Sequence, residues 1–271
     1  MAILNVTPDS FSDGGTLTDA GRALAAAEQA VAAGAQILDI GGESTRPGAT
    51  RVDAAEQIRR VLPLVRAIRA SSNAALPCVA VSVDTTLAEV ARAALDAGAD
   101  IINDVSAGAE SQDETLQLAA RCSCGIVLMH RRLPPEQDSY SDRYAITPSG
   151  DVVTTVREAL SERLSRAIDL GVHRESVVLD PGLGFGKSVE QNMELIRATP
   201  RLCELGAPIL SGVSRKSFVG RVGLGRESEP RERDAATLAF SMLHARLGAT
   251  VLRVHDVPSH AAMLRVVEAM G

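Results

Sequence analysis

Two hydrophobic patterns alternate along the whole chain: short β-branched runs that are apolar at nearly every position, and longer Ala/Leu/Arg-rich stretches that are apolar at a helical period. The first pattern predicts strands near 2–6, 36–40, 78–83, 101–103, 125–129, 176–179, 208–212 and 250–254. The second predicts helices near 19–33, 53–70, 86–97, 112–121, 151–170, 189–198, 233–247 and 259–269. A run such as Val79-Ala80-Val81-Ser82-Val83 is what a parallel strand covered on both faces looks like. Glycines at 34, 98, 171, 206 and 248 stand where each of five helices must stop before the next strand. Eight βα units in 271 residues predict an α/β protein of one domain, residues 1–271, built as a (β/α)8 TIM barrel. An open, doubly wound sheet is the alternative. The stretch 131–151 reads as one extended βα loop.

Composition narrows the function. The chain is 45% hydrophobic with a net charge of −6, which fits a compact domain and argues against a general nucleic-acid binder. No apolar run is long enough for a membrane span and no signal sequence is visible, so the expected location is cytoplasmic, without a membrane partner. With 2% aromatic residues and no Trp, the core must come from Ala, Val, Leu and Ile. Cys78, Cys122, Cys124 and Cys203 form neither a disulfide framework nor a zinc motif. His130, His173, His244 and His260 lack ligand spacing, and His173 and His244 are expected on exposed helix faces.

A barrel of this kind carries its chemistry on the loops after the strands, and here every strand runs into polar residues. They sort by charge. Asp84, Asn103 and Asp180 follow strands 3, 4 and 6, a set that suits the N–H-rich edge of a guanidine-like heterocycle. Each has a structural alternative, since Asp84 could cap a helix and Asp180 could cap a turn. Arg46, Arg215, Lys216, Arg253 and His255 follow strands 2, 7 and 8 and suit a phosphorylated ligand. Arg215 reads equally well as a structural ion pair. Gly186-Lys187-Ser188 reproduces the end of a Walker phosphate loop, but Pro181 stands where that pattern needs its first glycine. The loop 180–187 is instead expected to let Phe185 swing over a flat ligand. Loops 7–15 and 43–49, poor in apolar anchors, are expected to be mobile without ligand.

The segments Leu4-Asn5-Val6-Thr7-Pro8-Asp9-Ser10-Phe11-Ser12-Asp13-Gly14-Gly15, Gly42-Glu43-Ser44-Thr45-Arg46-Pro47-Gly48, Leu179 to Lys187, Ser214-Arg215-Lys216-Ser217-Phe218 and Arg253-Val254-His255-Asp256 together resemble the dihydropteroate synthases of folate biosynthesis. The match runs through the whole chain in order. It implies transfer of 6-hydroxymethyl-7,8-dihydropterin from its pyrophosphate to p-aminobenzoate, assisted by Mg2+, through a dissociative pterin cation. It further implies that Asp84, Asn103, Asp180 and Lys216 hold the pterin, and that Asn5, Thr45, Arg46, Arg253 and His255 bind pyrophosphate. By the same resemblance Asn5 and Asp13 ligate the metal, and Phe11, Pro47, Phe185, Lys216 and Ser217 line the aminobenzoate pocket. Asn5, Asp13 and Lys216 would be the catalytic residues, and a homodimer formed through helices far from the mouth is implied. The chain departs from the family in carrying Ala2 where glycine is usual, and loop 131–146 has a sequence of its own. Two alternatives remain: a corrinoid methyltransferase on a related pterin-binding barrel, and a pterin-binding module without turnover.

Overall fold

The computed structural model describes residues 1–6, 17–144 and 150–270. Eight parallel strands follow one another around the sheet in sequence order: β1 (Ala2–Asn5), β2 (Ile37–Gly41), β3 (Ala80–Asp84), β4 (Ile101–Asp104), β5 (Gly125–Met129), β6 (Val177–Asp180), β7 (Ile209–Ser211) and β8 (Ala249–Leu252). The ring closes through a parallel bridge between Ala2 and Val254 just beyond β8, where Ile3 N–H donates to Val254 O at 3.0 Å. It is the expected single-domain (β/α)8 barrel. The helices are α1 (Leu17–Ala32), α2 (Ala54–Arg69), α3 (Ala88–Asp96), α4 (Glu114–Cys122), α5 (Val152–Asp169), α6 (Val189–Arg197), α7 (Thr199–Cys203), α8 (Ser217–Leu224), α9 (Asp234–Arg246) and α10 (Val257–Ala269).

Strand alternation decides what faces where. Leu38, Ile40, Val81, Val83, Ile102, Ile126, Leu128, Val177 and Leu179 point outward into the apolar layer between sheet and helices, all fully or almost fully buried. Their neighbours point into the barrel, so the interior receives Asp39, Ser82, Asp84 and Asn103. The five stop glycines all take positive φ, between 73° and 110°.

Three features depart from the hydrophobic pattern. Helix 189–198 ends at Ala198 and α7 begins, with Pro200 in its first turn, where a missing N–H costs nothing. Helix α8 escapes the pattern because Gly220 and Gly223 dilute it. His173 is exposed, in the turn before β6, but His244 is fully buried, which corrects the expectation of an exposed face. Three of the four buried residues of α9 are polar (Thr237, Ser241 and His244, with Phe240), so hydrophobic periodicity could not reveal which face is buried. His244 Nδ1 is satisfied by Ser211 Oγ of β7 at 2.8 Å.

Candidate active site

Strand register sets Asn5, Gly41, Asp84 and Asn103 side by side at the C-terminal rim of the barrel, with Asp39 and Ser82 two residues below. Asp39 is the hub of this interior. Ser82 Oγ donates to its Oδ1 at 2.6 Å, Asn103 Nδ2 to its Oδ2 at 3.2 Å, and Arg253 Nε to Oδ2 at 2.6 Å. Arg253 also donates from Nη2 to Asp84 Oδ2 at 2.7 Å. One guanidinium therefore bridges two buried carboxylates, and its pKa is raised by them against the cost of burial. Asp84 is pushed up to about 7 by burial, with Arg253 opposing. In the sequence Asp39 is one acid inside an apolar strand, without pattern beyond sharing a strand face with Gly41.

These commitments define what is left for a ligand. Asp84 spends Oδ2 on Arg253, and Asn103 spends its amide N–H on Asp39. Asp180 takes the Gly182 N–H on Oδ1 at 2.7 Å, so it does cap its turn. Among the described residues Asp84 Oδ1, Asn103 Oδ1 and Asp180 Oδ2 are left as three acceptors at the ends of β3, β4 and β6, a complement to ligand N–H groups. Burial raises the Asp180 pKa, opposed by the Gly182 N–H and then by Lys216 and Arg253.

Loop 180–187 is held from within. Lys187 is completely buried, and its ammonium donates to Gly182 O (2.8 Å), Phe185 O (2.9 Å) and His130 O (3.3 Å). Burial lowers its pKa to about 7, with Asp180 and Asp138 opposing. Gly182 has φ +66°, and a Cβ there would stand 1.7 Å from His130 O, so no other residue fits. Asp138 and Asn192 hold the Gly186 and Gly184 amides at 2.9 and 2.7 Å. Phe185 is accordingly not poised to swing. It is buried against Val105 and Met129, with Lys216 Nζ 3.8 Å above its ring.

Loop 214–217 reverses at Arg215, whose φ is +59°. Arg215 forms the structural ion pair that its sequence allowed, donating to Asp234 at 2.7 and 2.9 Å. The reversal leaves half-buried Lys216 beside Phe185 and within reach of the charges of Asp180 and Asp84; burial lowers its pKa to about 8. Ser217, buried, opens α8. His255 is pressed to about 3 by burial and by four cations, Arg215, Arg253, Arg46 and Lys216. Its Nδ1 meets Ser214 Oγ at 2.9 Å, and its backbone N–H donates to the same oxygen at 3.2 Å. Of these cations Arg215 is paired with Asp234 and Arg253 with Asp39 and Asp84, and the neutral imidazole lies in a positive field that favours an anion.

Loop 43–49 carries Thr45 and Pro47 half-buried and Arg46 exposed. It has more anchors than its composition suggests: Val52 N–H donates to Glu43 Oε1 at 2.6 Å and Gly48 N–H to Pro135 O at 2.8 Å. Phe11 and Asp13 lie outside the described residues. For a divalent cation, Asn5 Oδ1 is the described ligand atom. Its amide oxygen is the kind of hard donor magnesium takes. Among the described residues no cluster of three His, Cys, Asp or Glu forms a complete cage. Magnesium commonly takes one or two protein oxygens and completes its shell with substrate phosphate and water, and the Asn5 amide oxygen is of the type it takes.

The family model described as pterin binding enzyme matches residues 1–255. A dihydropteroate synthase of Streptococcus pyogenes is 44% identical over 270 residues, covering 100% of this chain and 94% of the relative. Among solved structures, the dihydropteroate synthase of Xanthomonas albilineans with 4-aminobenzoic acid superposes with a TM-score of 0.86 at 43% identity, covering 100% of this chain and 92% of that one. The same enzyme in complex with 7,8-dihydropteroate gives 0.83 at 40% identity, with the same coverage.

Proposed function

The chain belongs to the pterin-binding enzyme family and, within it, to the dihydropteroate synthases, which are transferases, and from that premise we propose how its mouth condenses 6-hydroxymethyl-7,8-dihydropterin pyrophosphate with p-aminobenzoate. The observation that carries the reading is the adjacency of two opposite environments, three spare acceptors at the ends of β3, β4 and β6 and four cations around His255. The donor-rich edge of the pterin sits on Asp84, Asn103 and Asp180. Lys216 reaches its carbonyl side and spans the step to the arylamine pocket, whose walls are Phe185, Pro47, Ser217 and, from the first loop, Phe11.

Departure of pyrophosphate is the demanding event, because the breaking C–O bond leaves negative charge on one fragment and positive charge on the other. Arg46, Thr45 and His255 receive the anion in a field already built, with Arg253 behind them, so little reorganisation is needed as charge develops. Magnesium held by Asn5 and Asp13 would supply further neutralisation of the phosphate oxygens. The acids around the pterin favour the electron-poor methylene, which supports a dissociative path. The arylamine needs no strong base to attack it, and the enzyme's part is positioning plus electrostatics. Incubation with the pterin pyrophosphate, Mg2+ and p-aminobenzoate should release pyrophosphate and form 7,8-dihydropteroate in equal amounts. Tight pterin binding without pyrophosphate release would reduce the protein to a binding module.

A further inference from the structure

The loop after β4 is built as a stiff platform. Buried Asp104 accepts from Ser106 N–H at 2.8 Å, Ser106 Oγ at 2.7 Å, Gly108 N–H at 3.0 Å and Thr115 Oγ1 at 2.7 Å. Glu110 N–H donates to Ser106 Oγ at 3.2 Å, which fixes the backbone from which the half-buried Glu110 side chain leaves. Its carboxylate accepts from Arg51 after β2, from Thr86 Oγ1 after β3 at 2.7 Å, and from Arg131 after β5. One carboxylate thus joins the loops after four consecutive strands. Burial would raise its pKa, but the hydrogen bonds from Arg51 and Thr86 and the charge of Arg131 hold it below its usual value.

Of these partners Arg51 leads to the mouth. It stands at the end of the loop that carries Thr45, Arg46 and Pro47, and it helps to close that loop at its base. Arg51 Nη1 lies 3.6 Å from Glu43 Oε2, and the adjoining Val52 N–H donates to Glu43 Oε1 at 2.6 Å. Toward the loops after β3, β4 and β5 the closed loop is held by Gly48 N–H on Pro135 O at 2.8 Å and by Arg51 on Glu110. The other ties of Arg51 on that side, to Thr86 Oγ1 at 3.4 Å and Glu136 at 3.8 Å, are too long to fix a direction. A half-exposed ion pair adds little to folding stability, yet one that spans two loops decides where their side chains lie. We propose that Glu110 is a positioning residue for the reaction, acting through Arg51 to hold Arg46 and Pro47 at the mouth. This rests on the function proposed above, which sets those two side chains against pyrophosphate and p-aminobenzoate.

The test is steady-state kinetics of the whole enzyme with Mg2+ and both substrates. Glu110→Gln should raise KM for p-aminobenzoate by about tenfold while kcat changes less than about twofold, because placement is lost and the reacting groups are intact. A phosphate-free pterin fragment should bind this variant as tightly as the wild type, since Asp84, Asn103 and Asp180 hold it without Glu110. Arg51→Met removes the same pair from its exposed end and should raise the same KM, so it carries the test if Glu110→Gln folds poorly. The two substitutions combined should cost little more than either alone, the signature of one shared interaction. Unchanged KM in a folded variant, or effects that multiply in the double variant, would overturn the proposal. Amide hydrogen exchange at residues 45–49 needs no turnover: it should quicken in both variants, and unchanged exchange would equally overturn the proposal. Wild-type protein that releases no pyrophosphate would count against the proposed function, while exchange at residues 45–49 would still decide this inference.

Discussion

At Lys216 burial and function pull in opposite directions. The ammonium is wanted beside the ligand, yet its surroundings lower its pKa from 10.5 to about 8, and the acids Asp180 and Asp84 only partly compensate. A lysine whose folded pKa is depressed binds fewer protons than in the unfolded chain between those two values, so stability rises with pH across that window. Lys216→Ala should remove part of this rise while leaving the melting temperature at pH 7 unchanged or slightly higher, and should lower turnover strongly. Thermal melts of both proteins from pH 7 to 10 check it; early unfolding of the variant with full activity in the folded remainder would make Lys216 a packing residue. Asp180→Asn should weaken a pterin fragment by roughly 1.5–3 kcal/mol, read by calorimetry, because the amide keeps one oxygen for the Gly182 N–H and turns a second donor toward a donor edge. Both residues were legible in the sequence as chemistry at strand ends. Asp39 and Lys187 were not. Asp39 is met by Arg253 from the far end of the chain, and Lys187 by backbone carbonyls of its own loop and of His130; neither kind of pairing depends on the identity of neighbouring side chains, so it leaves no local pattern.

The elements followed the hydrophobic pattern where an apolar stripe defines them, which is why all eight strands fall within two or three residues of their predicted limits. The pattern missed α8, and although α9 and α10 fall within two residues of their predicted limits, it did not show which of their faces is buried. Helix α9 buries a polar stripe and exposes Met242 and Leu243; α8 exposes Val222 and Leu224; α10 exposes Val266 and Met270. The three helices pack side by side, α8 on α9 and α9 on α10, on a part of the barrel distinct from the α5 side. Exposed apolar side chains on adjoining helices are what an isologous dimer would cover, and they scramble helical periodicity because both faces of α9 are used. Leu243→Asp should therefore shift the protein from dimer to monomer in analytical ultracentrifugation while leaving the fold intact. A wild-type protein that sediments as a monomer at micromolar concentration would remove the dimer from the picture.

For the molecule as a whole, the barrel was readable because closure of eight βα units is a repetition, and repetition survives in sequence. What could not be read is how much of the mouth is already built before ligands arrive. Much of it is: Asp39, Arg253 and Asp84 are locked together, loop 180–187 is stapled by Lys187, and loop 43–49 is tied to Pro135. The expectation that loop 43–49 lacks anchors is thereby revised, and its backbone is not what an anion would have to order. The side chains are another matter. Arg46 is exposed, and with Lys216 and the ion-paired Arg215 and Arg253 it lies near a neutral His255, so an anion entering there would meet positive charge already gathered. Pyrophosphate would draw the Arg46 side chain inward over the mouth beside Pro47, a proposed wall for p-aminobenzoate. Binding of the anion and binding of the arylamine are then linked through the Arg46 side chain, and the linkage is reciprocal. p-Aminobenzoate should bind at least ~10-fold more tightly with Mg2+ and pyrophosphate present than without them, a coupling of about 1.4 kcal/mol or more. Arg46→Ala should abolish most of the difference while leaving the weaker affinity unchanged. Calorimetric titration of p-aminobenzoate under the two conditions measures it directly, and equal affinities would mean that the arylamine pocket is complete in the empty enzyme and that the order of addition is not imposed by the anion.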